Sequence, residues 1–101
     1  MRIVIADREE TVIEEIIRVL ENSKAEYKLE GTTDNSKEGY ELIKTVRPDL
    51  VIMDVSLEGS DGLAMMKKLR ADGVTSKLII LTEDTDFNTA REAIETGTDS
   101  Y

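Results

Sequence analysis

Three polar residues stand where they could do chemistry. Asp7, Asp54 and Thr82 each directly follow a run of four apolar residues. A carboxylate can act as a nucleophile or hold a hard divalent cation, and a hydroxyl can donate to an oxygen that gathers charge. The rest of the composition narrows the choice. With no histidine and no cysteine, the commonest general base, most zinc and iron sites, thiolate nucleophiles and disulfides are all excluded. Carboxylate and hydroxyl chemistry remains. A buried strand must also end in something polar, so the pattern by itself carries a structural reading beside the chemical one.

The elements that would position these residues alternate along the chain. Ile3-Val4-Ile5-Ala6, Leu50-Val51-Ile52-Met53 and Leu78-Ile79-Ile80-Leu81 are short continuous apolar runs, the pattern of strands buried on both faces. Residues 26 to 31 alternate with charges on one side, which predicts a half-exposed strand near a sheet edge. Helical spacing relates Val12, Ile13, Ile16, Ile17 and Leu20, and Asn22-Ser23 closes that helix. A second helix is expected from about Ser36 to Val46, burying Tyr40, Leu42 or Ile43, and Val46, and stopped by Pro48. A third follows Asp61 with Leu63, Met66 and Leu69 inward and Gly73 as its stop, and a fourth runs from near Asp86 to Gly97.

Four βα units with short connections predict one domain over residues 1–101, a doubly wound parallel sheet with helices on both faces. Such sheets bind ligands at the carboxyl ends of their strands, where Asp7, Asp54 and Thr82 fall. Twenty-two acidic against thirteen basic residues, a net charge of −9, argue against direct contact with nucleic acid or an anionic membrane. No apolar run approaches the roughly 20 residues of a membrane span, no signal peptide is expected, and the lack of cysteine fits the reducing cytoplasm.

Arg47-Pro48-Asp49-Leu50-Val51-Ile52-Met53-Asp54, then Gly59, Asp61-Gly62 and Leu78-Ile79-Ile80-Leu81-Thr82, resembles the receiver domain of bacterial two-component response regulators. Ile3 to Asp7 resembles the family's first strand and its acidic end, and Gly97 to Tyr101 the approach to its fifth strand. The NarL/LuxR and sporulation-regulator branches are the most similar. The resemblance implies a CheY-like (flavodoxin-like) fold with strand order 2-1-3-4-(5), the fifth strand incomplete and the fifth helix absent. It implies that Asp54 accepts a phosphoryl group from a sensor histidine kinase or phosphotransfer protein. It further implies Mg²⁺ held by Asp7, Asp54 and the backbone carbonyl of Ser56. Thr82 would bond the phosphoryl group, and Thr82 with Tyr101 would pass the change to an output domain or partner protein, often a DNA-binding one. An exposed sheet edge or the fourth-helix face would serve a homodimer.

Four departures bear on that reading. Receivers usually carry a second acid after the first strand as the direct metal ligand, and here that position is Arg8, with Glu9 and Glu10 the nearest substitutes. Glu83 stands where the residue after the hydroxyl is normally small, adding charge that repels a dianion. The loop after Asp54 lacks the usual proline before Gly59, and the chain stops before the family's essential lysine. Arg8 and Glu83 support an alternative, a phosphate-independent pseudo-receiver acting as a protein-interaction module. The EF-hand-like run Asp54, Ser56, Glu58, Gly59 fails because its twelfth position is Met65, and neither a P-loop nor a dinucleotide glycine motif is present.

Overall fold

The computed structural model describes residues 1–54 and 62–81. Strands β1 (Arg2–Ala6), β2 (Lys28–Thr33), β3 (Leu50–Asp54) and β4 (Lys77–Leu81) alternate with helices α1 (Glu10–Glu21), α2 (Ser36–Val46) and α3 (Gly62–Ala71). All strand pairs are parallel, in the order β2-β1-β3-β4, as expected for the doubly wound fold. The fourth helix expected from Asp86 to Gly97, and the approach to a fifth strand, lie outside the described residues.

The apolar runs are continuous because β1, β3 and β4 each feed two cores. Ile3, Ile5, Leu50, Ile52, Ile79 and Leu81 pack with Ile16 and Leu20 of α1 on one face. Val4, Ala6, Val51, Met53 and Ile80 pack with Ile43 of α2 and Met65, Met66 and Leu69 of α3 on the other. Alternation along a strand sends successive side chains to opposite faces, so a strand covered on both sides has no polar position to spare. β2 is the edge strand predicted for it, but it runs later than the alternating stretch. A bulge at Glu30, where Ile3 pairs with Leu29 and Val4 with Gly31, breaks the period of two. Arg2 Nε and Lys28 Nζ both lie 3.4 Å from the Glu30 carboxylate, so this edge carries charge as well as a bulge.

Helix ends follow their side chains. Asn35 accepts from the Glu38 N–H (2.8 Å) and caps α2. At the other end α2 stops at Val46 as expected, and Arg47, the residue before Pro48, takes the left-handed conformation (φ 48°). The Arg2 guanidinium donates to the Val46 carbonyl (2.7 Å), meeting one of the carbonyls the helix leaves unpaired. Ile43 is fully buried in α2, whereas Tyr40, Leu42 and Val46 are only partly so. In α3 the inward residues are Gly62, Met65, Met66 and Leu69. Leu63, expected inward, is 46% exposed, because it lies one residue off the face that these four define. Gly73 (φ +86°) supplies the left-handed turn after α3.

Candidate functional site

The two inner strands leave the sheet in opposite directions, β1 toward β2 and β3 toward β4, and this reversal opens a crevice at their carboxyl ends. Asp7 and Asp54 stand on that crevice. Ala6 pairs with Met53, so the residues that follow, Asp7 and Asp54, are one register step further along neighbouring strands. Strands lie about 4.8 Å apart, which brings the two carboxyl groups into each other's field. Asp54 in turn pairs with Leu81, the residue that precedes Thr82 in sequence.

The two carboxylates differ in environment. Asp7 is 2% exposed, while Asp54 is half-buried. The Asp7 N–H donates to the Thr33 carbonyl (2.9 Å), and Asp7 Oδ1 accepts from the Glu9 N–H (2.8 Å). That bond fixes the start of the β1–α1 loop. It is not the helix cap, since Glu9 occupies that position and makes no side-chain cap bond. Burial holds the Asp7 carboxyl above the usual carboxylate range, the Glu9 N–H partly offsets this, and the neighbouring Asp54 charge adds to the rise. Arg8 is exposed, and its lowering effect is the smallest of the named influences on Asp7. The guanidinium therefore offsets little of what raises Asp7.

This donor set fits a hard divalent cation. Two carboxylates at the ends of adjacent strands, one of them buried, would be balanced by a positive charge between them, and an ion that keeps several waters needs few protein ligands. Among the described residues no group of three acidic side chains forms a metal cage. Of the substitutes for the acid missing at Arg8, Glu10 lines a hollow of about 260 Å³ with Ile13, Thr32, Thr33, Asp34 and Glu38. Glu9 stays close enough for its charge to act on Asp7.

Asp7 and Asp54 are thus brought together, and Ser56, Thr82, Glu83 and Tyr101 lie outside the described residues. Gly62 is a positioning residue whose role the pattern does not reveal, although its place after Asp61 marks it. A Cβ there would lie 2.6 Å from Met53 Sδ and 2.9 Å from the Asp54 carbonyl oxygen, so the first turn of α3 rests directly on the strand end that carries Asp54.

Known proteins resemble this chain in sequence and in fold. A transcriptional regulatory protein of Bacillus subtilis, YesN, is 32% identical over 100 residues, which is 99% of this chain and 27% of that protein. The nitrate/nitrite response regulator NarL of Escherichia coli is 27% identical over 71 residues, 70% of this chain and 33% of that protein. The chain thus spans well under half the length of these curated relatives. Among solved structures, the REC domain of the response regulator AraT from Geobacillus stearothermophilus is 27% identical with a TM-score of 0.73, covering 99% of this chain and 78% of that one. The isolated REC domain of RcsB from Salmonella enterica shares the fold at a TM-score of 0.81 and 19% identity, over 100% of this chain and 93% of that one. The response regulator receiver domain family matches residues 3–101, nearly the whole chain with both carboxylates inside the match, and the chain belongs to that family of two-component signalling domains.

Proposed function

We propose that Asp54 is the phosphoacceptor of this receiver domain and that Asp7 holds the cation that the transfer requires. The observation that carries the reading is the pairing of a half-buried Asp54 with a buried Asp7 at the switch point between β1 and β3. A half-buried carboxylate at a strand end can be reached by an incoming group while its backbone stays locked in the sheet. Its oxygen attacks the phosphorus of a phosphohistidine on the donor. The O–P bond forms as the N–P bond breaks, and the bonding pair returns to the imidazole nitrogen.

Receiver domains in general bind Mg²⁺ for phosphorylation. Here Asp7, Asp54 and the Ser56 carbonyl would hold it, where it would neutralise charge on the phosphoryl oxygens. Asp7 is kept in place by its bond from the Glu9 N–H, and Gly62 lets α3 close on the strand end beneath Asp54. By sequence position alone, the reading extends to Thr82 as a hydrogen-bond donor to the phosphoryl group and to Tyr101 as the side chain that follows it. A histidine kinase or phosphotransfer protein is the donor, and an output domain or partner protein receives the change. The phosphate-independent alternative rested on Arg8 and Glu83. Arg8 is exposed and acts only weakly on Asp7, so no observation favours it. None of the described helices is long and apolar enough to cross a membrane.

Incubation with acetyl phosphate and Mg²⁺, followed by intact mass measurement, tests the proposal. The native chain is expected to gain one phosphoryl group and Asp54→Asn none. A native chain that gains nothing, or an Asp54→Asn chain that gains as much, overturns it.

A further inference from the structure

Away from the carboxylate site, α2 and α3 lie over the same sheet face and leave a groove of about 410 Å³ between them. Buried Met65 and Ser36 form its floor, and Lys37, Tyr40, Ala64 and Lys68 its sides. Tyr40 is a fixed wall. Its hydroxyl bonds the Asp72 carboxylate and accepts from Lys44 Nζ (3.3 Å). The ammonium groups of Lys44 and Lys68 lie 5.3 and 4.3 Å from its ring centroid. Lys68, an exposed residue, is thereby held at the lip of the groove.

The charge of this groove runs against that of the chain. With twenty-two acids and thirteen bases, a cation on this surface should readily find a carboxylate. Yet among the described residues neither Lys37 nor Lys68 takes part in an ion pair. α3 carries Lys67, Lys68 and Arg70 and no acid, while α1 on the opposite face carries Glu10, Glu14, Glu15 and Glu21 against Arg18. Cations that make no ion pair among the described residues, set beside buried Met65 on one face of an otherwise acidic molecule, make a surface complementary to carboxylates interleaved with an apolar side chain.

We infer that the α2–α3 groove docks a short acidic peptide segment of a partner protein, its carboxylates on Lys37 and Lys68 and one apolar side chain on Met65 and Ala64 beside Tyr40. The groove has the volume of a small ligand site, enough for a few side chains. A polyphosphate chain is disfavoured, because its dense charge meets the net −9 of the whole molecule. Glu41, also on the lining, repels a carboxylate at its own end and so sets the direction in which the segment lies.

The probe is an end-capped pentapeptide with one leucine between two pairs of glutamates, titrated into the chain at low salt and followed by NMR. Saturable shifts are expected at Lys37, Tyr40, Ala64, Met65 and Lys68, fading as salt is added. Lys68→Glu should weaken binding roughly threefold to tenfold, as expected when a surface ion pair becomes a repulsion. Lys68→Gln should weaken it less, and Lys24→Glu, the same charge change on the far side of the fold, should leave it within about twofold. The absence of saturable shifts, shifts centred elsewhere, or equal weakening by Lys24→Glu and Lys68→Glu overturns the inference. So does equal competition by a single-stranded oligonucleotide.

Discussion

Asp7 combines two demands that conflict. It is buried, it neighbours Asp54, and its carboxyl is held above the usual range chiefly by burial. The native state therefore keeps this proton at pH values where the unfolded chain has lost it. An acid whose native value is raised destabilises the fold above that value, and the cost is relieved as the pH falls through it toward the ordinary 3.8. Asn at position 7 keeps an oxygen to accept from the Glu9 N–H but carries no charge. Asp7→Asn should thus be more stable than the native chain at neutral pH by about 1 kcal/mol, the scale typical of relieving one unfavourable charge. The gap should narrow as the pH is lowered through the native Asp7 titration, and Mg²⁺ affinity should fall. Urea denaturation of both chains across pH measures this, and a destabilised Asp7→Asn at neutral pH would show that burial of this charge is compensated. Asp7 and Asp54 were legible because a carboxylate after four apolar residues is a local signal. The exposure of Arg8 was not, since the direction of a loop side chain depends on what the fold places around it.

Each described element was anticipated in kind and order, and the discrepancies have local causes. α3 shows the clearest one. Its buried face follows the spacing i, i+3, i+4, i+7 from Gly62, giving Gly62, Met65, Met66 and Leu69. A glycine adds nothing to a hydrophobic pattern, so the sequence points to the adjacent Leu63, which the structure leaves exposed. β2 was misplaced by two residues for a similar reason, because a bulge resets the alternation from which its bounds are read. The position of Gly62 also yields a prediction against propensity. Alanine in place of glycine favours a helix by roughly 1 kcal/mol. Here its Cβ would meet Met53 Sδ at 2.6 Å and the Asp54 carbonyl oxygen at 2.9 Å. The methionine can swing aside, but a carbonyl in a strand cannot. Gly62→Ala should therefore destabilise the chain by about 1–3 kcal/mol, the usual cost of overpacking, and should slow acetyl-phosphate labelling by shifting the strand end under Asp54. A stabilised variant would mean that α3 backs away from β3 at no cost.

At the scale of the molecule, the two ends of the sheet divide the work. The end opposite the site is tied by the Arg47-Pro48-Asp49 turn. The Asp49 carboxylate accepts from the Arg2 N–H (2.7 Å), the Asp49 carbonyl accepts from the Lys77 N–H (2.9 Å), and the Pro48 carbonyl accepts from the buried Ser76 hydroxyl. This lock joins the starts of β1, β3 and β4 and leaves their carboxyl ends to present charge. Those ends gather like charge in a chain whose net charge is already −9. A compact state with that excess repels itself, and the repulsion is long-ranged in dilute buffer. Raising NaCl from about 0.01 M to about 0.15 M shortens the screening length from about 30 Å to about 8 Å. The Tm should rise over this interval by general screening. On the proposed reading, in which the carboxylate pair holds the cation, millimolar Mg²⁺ at constant ionic strength should raise it further than screening alone does. Asp54→Asn separates the two contributions. It should keep the NaCl response, which belongs to the whole surface, and lose most of the additional Mg²⁺ response, which belongs to the crevice. If the variant retained the Mg²⁺ increment in full, the cation would be acting on the acidic surface at large, and the paired carboxylates would not be its site.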